Sequence, residues 1–123
     1  MITLRDVQQI IEDNFLENIY FEIIDYINNL SGAELSDFFE YAVDFATCNI
    51  IDDAKIINYK EQQFDNQNEI VGSLEVGVEI DGYVHWENED MNINSVKSKV
   101  VVWFSLYEKD DVYEDFAILD IYL

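Results

Sequence analysis

The chain of 123 residues has no proline, four scattered glycines, one cysteine and only six basic residues. Without proline, a Gly/Ser-rich stretch or a fixed repeat, nothing marks a linker, so we predict a single domain. One thiol forms no internal disulfide and no zinc quartet, which is typical of a reducing compartment. No apolar run approaches the ~20 residues that span a bilayer, and no segment resembles a signal peptide. We therefore expect a cytoplasmic protein that does not enter a membrane.

Acidic residues far outnumber basic residues in the sequence. Asp and Glu number 27 against six Lys and Arg, which gives a formal net charge of −21. This charge opposes direct binding to nucleic acid and to anionic membrane surfaces, because both require positive charge on the protein. A basic protein is the natural partner. The alternative is that the acidity serves solubility alone.

The first part of the chain has the apolar spacing of helices. Thr3, followed three residues later by Asp6, predicts a helix cap, and the apolar residues continue at helical spacing to Leu30. Whether this stretch is one helix or bends near Asn14 is left open. The S-G-A-E motif at 31–34 matches a capping box, which predicts a third helix running to Cys48.

The second part has the alternation of half-buried strands, clearest between Ile70 and Ile80. The Asp81-Gly82 pair suggests a hairpin turn, but that turn would set polar residues against the apolar face. We therefore predict one long strand that bends at Gly82 and continues through Trp86 on its core side. Further strands are predicted at 55–61, 96–106 and 112–122, with a tight turn at 108–111.

Together these patterns predict an α+β domain of two layers. About three helices, within a helical part at 1–49, would cover one face of a four-stranded antiparallel meander sheet within 50–123. The uncovered sheet face leaves dimerisation open.

No catalytic centre or cofactor site is recognisable, so we predict a protein that is not an enzyme and binds no metal. His85 has no second histidine or cysteine at ligand spacing. The segment that begins at Asp90 imitates a calcium loop, but it lacks the turn glycine and the final glutamate. Cys48 is interpreted as a core residue. The alternative is a weak cation site or small enzyme site in the loop 85–90, formed by Glu87, Glu89, Asp90 and His85.

The strongest signal is an unrelieved run of acids. From Asp6 to Asp44 there are ten acidic residues and no Lys or Arg, whereas ordinary helix faces mix both signs. If the third helix forms, four of these acids recur every three or four residues, about 5 Å apart, like phosphates along a strand. The predicted partner-binding residues are these four, Glu34, Asp37, Glu40 and Asp44, joined by Glu12, Asp13 and Glu17 or by Glu87, Glu89 and Asp90.

These observations predict a non-enzymatic inhibitor whose carboxylates occupy the nucleic-acid-binding cleft of a basic protein such as a nuclease. In acidity and size, though in no motif, the chain resembles the DNA mimics that phages and mobile elements use against restriction or CRISPR nucleases. That resemblance implies an anti-restriction or anti-CRISPR role. The alternative is an immunity protein or antitoxin that neutralises one cognate basic nuclease. Exposed Tyr or Trp beside the acids would favour this second hypothesis, because specific interfaces rely on aromatic anchors.

Overall fold

The computed structural model describes residues 2–39, 42–64, 67–110 and 112–123. The described part contains three helices, α1 (Leu4–Asn14), α2 (Leu16–Asn28) and α3 (Gly32–Leu35). They precede five strands, β1 (Phe45–Ile50), β2 (Lys55–Phe64), β3 (Gln67–Trp86), β4 (Glu89–Lys109) and β5 (Val112–Tyr122), which pair antiparallel in one sheet. The predicted α+β architecture is confirmed, with five strands in place of four. None of the described helices combines the length and apolar character that crossing a bilayer requires.

The first two helices form where the apolar spacing predicts them. A capping box begins α1: the Asp6 N–H donates to the Thr3 hydroxyl at 3.2 Å, and the Thr3 N–H donates to the Asp6 carboxylate at 3.0 Å. Phe15 separates α1 from α2, since its φ of −128° departs from helical geometry. The stretch before Leu30, which the sequence left open as one helix or two, thus forms two helices. The Phe15 ring stacks on Phe116 of β5 with centroids 4.5 Å apart, so the joint is fixed against the sheet.

The predicted long third helix is wrong. Its capping box forms, with the Ser31 hydroxyl accepting from the Glu34 N–H, but α3 ends at Leu35. The chain then turns, and β1 begins at Phe45, inside the predicted helix. The segment from Phe45 becomes a strand because it pairs with the edge of β3. Phe39 and Val43, which are four residues apart as on a helix face, are nevertheless buried in the core, where they are 7% and 4% exposed.

The two longest strands, β3 and β4, form the centre of the sheet. One edge of β3 pairs with β4, and β5 lies beyond β4. The other edge of β3 is filled in two segments, by β1 towards its end and by β2 towards its start. Between β1 and β2 the chain runs along the same edge of β3 past Gly77, whose carbonyl accepts from the N–H groups of Ile51 and Asp52 at 2.9 and 3.2 Å.

The long strand predicted through Asp81-Gly82 is confirmed, because β3 continues to Trp86 before the chain reverses. A side chain at Gly82 would not fit, since a Cβ there would lie 2.8 Å from a Val43 methyl and 2.9 Å from the Phe39 ring. The other predicted strands also lie within β2, β4 and β5. Asp110 lies in the turn before β5, as predicted, whereas Asp111 is outside the described residues.

The core lies between the helices and one face of the sheet. Alternate residues of β3 and β4 are fully buried there, together with one side of α1 and α2. These core residues include Val7, Ile11, Ile19, Ile23, Ile27, Ile70, Leu74, Val76, Val78, Ile80, Val100, Val102, Phe104 and Leu106. The opposite sheet face carries the intervening side chains, which are mostly polar or charged but include Val71, Val101 and Trp103, so the domain has two layers.

Candidate interaction surfaces

The two layers differ in how far their acids are offset by basic residues. The described residues 2–39 hold eight acids and one base, Arg5. Four lysines lie on the sheet face away from the helices. Each either alternates with core residues along its own strand or lies opposite a residue of the neighbouring strand that does. Among them, the Lys99 ammonium lies 3.3 Å from the Glu75 carboxylate across the ladder. The described residues 42–64, 67–110 and 112–123 hold sixteen acids and five lysines, so both layers are acidic and the lysines all lie in the sheet part of the chain. The four lysines on the face away from the helices are Lys55, Lys60, Lys97 and Lys99.

Three predicted site residues come together where α1 meets α2. We call Glu12, Asp13 and Glu17 the helix-joint acids; all three are exposed. With Asn14 and Leu16 they line a recess of about 330 Å³. No basic residue stands in the last turn of α1, so the partial negative charge of that helix end adds to the field of the carboxylates.

Neutral amides hold two of these carboxylates in place. The Gln8 Nε2 donates to the Glu12 Oε1 at 3.0 Å, and the Gln9 Nε2 donates to the Asp13 Oδ1 at 2.9 Å. An amide donor orients a carboxylate without cancelling its charge, so both groups remain available to a cation.

Gln8 also ties this region to the sheet. Its Oε1 accepts from the Ile56 N–H at 2.9 Å, and its Nε2 donates to the Ala54 carbonyl at 2.7 Å. The side chain thereby pairs with two backbone groups at the start of β2 much as a neighbouring strand would. No sequence pattern pointed to this residue.

A second recess, of about 390 Å³, lies on the other side of α1. Its lining includes the carboxylates of Asp6, Asp13 and Glu61 together with Asn68 and Tyr113. Glu61 accepts from the Ile2 N–H at 3.2 Å and from the Asn68 amide at 3.0 Å. Asp13 borders both recesses, so the acidic surface extends around the end of α1.

The predicted acidic row at Glu34, Asp37, Glu40 and Asp44 does not lie along one helix, because the chain leaves the helical path after Leu35. Glu34 closes the cap of α3 by accepting from the N–H and hydroxyl of Ser31 at 3.2 and 2.9 Å. Asp37 is exposed in the turn that follows, and Glu40 lies outside the described residues.

Asp44 is held at the edge of β3. Its carboxylate accepts from the His85 N–H, and its own N–H donates to the Tyr83 carbonyl, both at 2.8 Å. Whether any member of the predicted row meets a partner stays a prediction.

The other three predicted acids lie together at the end of the β3–β4 hairpin. We call residues 84–91 the hairpin tip. Glu87 and Asn88, with φ of 50° and 70°, form the two-residue turn that closes the pair Trp86 and Glu89. Asp90 lies with its Oδ1 3.0 Å from the Nδ1 of His85. His85 lies between Val84 and Trp86 in the strand and therefore on the face away from the core, opposite Asp90 in the ladder.

Trp86 corrects a prediction. It shares the face of the core residues, as the alternation requires, yet 63% of its surface is exposed. Phe39 and Val43 close the core at Gly82, and Trp86 lies four residues further along the strand. Met91, on the neighbouring strand of the same tip, is 48% exposed.

The described residues provide neither a cluster of metal ligands nor an ionised thiol. No three His, Cys, Asp or Glu side chains among them are arranged to hold a metal ion, and this includes the acids of the hairpin tip that the structure describes. Burial, with a smaller contribution from the negative charge of Asp81, raises the pKa of the Cys48 thiol to about 11. Cys48 therefore carries a neutral thiol at neutral pH and lies in the core beside β3.

The chain matches no family model, no curated protein and no solved structure. Its function is therefore inferred from the helix-joint acids and the hairpin tip.

Proposed function

We propose that this chain is a non-enzymatic binding protein that presents carboxylates to a basic, nucleic-acid-binding protein and blocks the surface where phosphates would bind. The observation that supports this proposal is that the helical part of the chain carries acids with almost no compensating base. Eight acids and a single base occupy residues 2–39, while four of the lysines point to the opposite face of the sheet. A field of one sign on one side of a domain steers an oppositely charged partner and accelerates its association by about 10- to 10³-fold.

The helix-joint acids are suited to this role because their carboxylates are fixed but not neutralised. Gln8 and Gln9 hold Glu12 and Asp13 through amide donors, so the remaining oxygen lone pairs are free to accept from Lys or Arg. Phosphate oxygens offer the same acceptors to the same side chains. A cleft that binds a nucleic-acid backbone would therefore accept this surface in its place.

The test is capture of a partner, with charge reversal at matched positions. The wild-type protein, immobilised in a lysate of its source cells, should retain a basic nucleic-acid-binding protein at about 50 mM salt and release most of it at about 200 mM. The variant Asp13→Lys/Glu17→Lys should lose this capture. The control Glu114→Lys/Asp120→Lys changes the net charge equally at exposed positions of β5 and should keep it.

Any of three results would remove the proposal. If both variants lose capture equally, bulk charge rather than the helix-joint acids is responsible, and the acidity is only solubilising. If no basic protein is retained at low salt, the proposed partner does not exist. If the retained protein still binds labelled nucleic acid in the presence of an excess of the wild-type chain, the proposed competition does not occur. Circular dichroism of each variant establishes that the fold is kept.

A second candidate function is neutralisation of one cognate basic nuclease, as an immunity protein or antitoxin does. The observation that favours it is Trp86, a largely exposed aromatic residue beside Glu87 and Glu89. A mimic that relies on charge should lose affinity steeply with salt, whereas apolar contact around an aromatic anchor is not screened. The dependence of the dissociation constant on salt concentration therefore separates the two functions.

A further inference from the structure

We infer that the hairpin tip inserts into an apolar pocket, bordered by Lys or Arg side chains, on the basic partner protein. This inference rests on the proposed function, because it names the place of contact with the same partner. It is argued from the apolar surface, the shape and the charge of residues 84–91.

The apolar surface is continuous on one face of the tip. Val84 and Met91 are opposite each other in the ladder, and Trp86 follows two residues after Val84 on the same side. This row extends the core-facing side of β3 beyond Gly82, where Phe39 and Val43 end the core. Trp86 and Met91 remain 63% and 48% exposed, so in the described structure much of their apolar surface faces solvent.

The shape is narrow and convex. Pairing of β1 with β3 ends at Tyr83, and among the described residues the last hydrogen bond on that edge joins the His85 N–H to the Asp44 carboxylate. Beyond it the described sheet is a ribbon of two strands. From Gly82 to the turn at Glu87 the strand advances roughly 17 Å, at ~3.3 Å per residue. A ribbon of this form fits a concave partner rather than a flat one.

The charge of the hairpin tip indicates the chemistry of its partner. Residues 83–96 contain three acids, Glu87, Glu89 and Asp90, and neither Lys nor Arg. His85 is the only basic group there, and it faces Asp90. Nucleic acid and anionic membranes are disfavoured because their phosphates would meet these carboxylates. A second copy is disfavoured as well, since each copy brings a net charge of −21.

A protein pocket with an apolar floor and a cationic rim complements both properties of the tip. Buried aromatic anchors commonly dominate the energy of such interfaces, and a surrounding polar rim excludes water. Trp86 and Met91 would fill the pocket, and Glu87, Glu89 and Asp90 would meet the rim.

The test uses the partner recovered by low-salt capture and measures dissociation constants by titration calorimetry. Trp86→Ala should weaken binding at least ~10-fold, and Met91→Ala should weaken it by a smaller factor. Leu119→Ala is the control, because Leu119 is an apolar residue of β5 that is 56% exposed, and it should change binding less than ~3-fold. Trp fluorescence of Trp103→Phe, which leaves Trp86 as the reporter, should shift to shorter wavelength on binding.

The outcomes separate this inference from the proposed function. If Trp86→Ala and Met91→Ala bind like wild type while Asp13→Lys/Glu17→Lys does not bind, the tip is not the anchor and the proposed function stands. If only the tip variants fail, the tip is the anchor and the helix-joint acids are not the binding surface. A wild-type dimer in sedimentation that Trp86→Ala dissociates would show that a second copy occupies the tip, which overturns the inference.

A displayed library of short random peptides gives a test that does not depend on the cellular partner. Peptides retained by the wild type and lost with Trp86→Ala should combine aromatic or aliphatic residues with Lys or Arg. If no peptide depends on Trp86, or if the dependent peptides lack basic residues, the inferred pocket chemistry is wrong.

Discussion

Replacing Gln8 with alanine should loosen the attachment of α1 to the sheet. The side chain makes two hydrogen bonds to the backbone at the start of β2, with the Ala54 carbonyl at 2.7 Å and the Ile56 N–H at 2.9 Å. It makes a third with Glu12 at 3.0 Å. Alanine removes all three and leaves two partly buried backbone groups without this partner.

The expected loss is dominated by the two backbone groups. At about 1 kcal/mol for each hydrogen bond, their loss lowers the free energy of unfolding by about 2 kcal/mol. Gln9 provides the matched control, because it is the next residue on the same helix and makes one exposed bond to Asp13. Gln9→Ala should therefore lower the free energy of unfolding by about 0.2–0.5 kcal/mol.

Urea unfolding followed by circular dichroism measures the difference. With a slope of about 2 kcal/mol per molar urea, Gln8→Ala should unfold at a midpoint about 1 M lower than wild type, and Gln9→Ala close to wild type. Equal stability of the two variants would contradict the role assigned to Gln8.

The variant Gln8→Glu adds a test with pH. An ionised carboxylate cannot donate to the Ala54 carbonyl, and it would lie near the Glu12 carboxylate, so this variant should be less stable than Gln8→Ala at neutral pH. Both effects raise the folded-state pKa of the new group above its unfolded value, near 4.3. The deficit should therefore shrink as pH falls towards about 4, because protonation restores a donor.

Three further predictions concern one or two positions each. Because burial raises the pKa of Cys48 from 9.0 to about 11, the folded protein should lose stability as pH rises from 9 to 11, and Cys48→Ala should lose less over that range in urea titrations at successive pH values. Gly72→Ala should lower the free energy of unfolding by about 1–3 kcal/mol, because the new Cβ would lie 2.5 Å from the Asn58 carbonyl oxygen; a wild-type melting temperature would contradict this. Glu87→Asn combined with Asn88→Gly should raise the melting temperature by a few degrees, since both positions have positive φ and Asn-Gly favours that turn; no rise would mean that the turn is not strained.

Local patterns were enough to predict most of the strands and both helix caps. The alternation in β3 was decisive at Gly82, because a hairpin there would have paired Val78 with His85. In the structure Val78 is opposite Ser98 and His85 is opposite Asp90. The Thr3 cap likewise depends only on residues of its own turn. Signals of this kind need no knowledge of the rest of the chain.

The prediction of a long third helix was wrong because the structure of that segment depends on a strand that is distant in sequence. The cap at Ser31 forms, but the edge of β3 from Val78 to Tyr83 needs a partner for its backbone groups. Residues from Phe45 to Ile50 supply it, with Cys48 opposite Ile80. Nothing within the segment itself indicates that requirement.

The same dependence limits prediction of the site. The acidic row required the helix that does not form. For Trp86, alternation predicts which face of the strand it occupies, but exposure depends on how far the covering layer reaches, and that layer ends near Gly82. Gln8 bonds to groups more than forty residues away, so periodicity gives no sign of it.

The way in which β3 is paired also bears on how the chain folds. From β2 to β5 each strand pairs with the next one along the chain, and consecutive strands are separated by only two residues, so these hairpins close small loops and lose little chain entropy. β1 lies on the same edge of β3 as β2, joined to it by residues 51–54, so its pairing extends the β2–β3 ladder at the end farthest from the turn of that hairpin. We expect the meander from β2 to β5 to form first and β1 to dock late, and in hydrogen exchange the amides shared by β1 and β3 should open before those between β3 and β4.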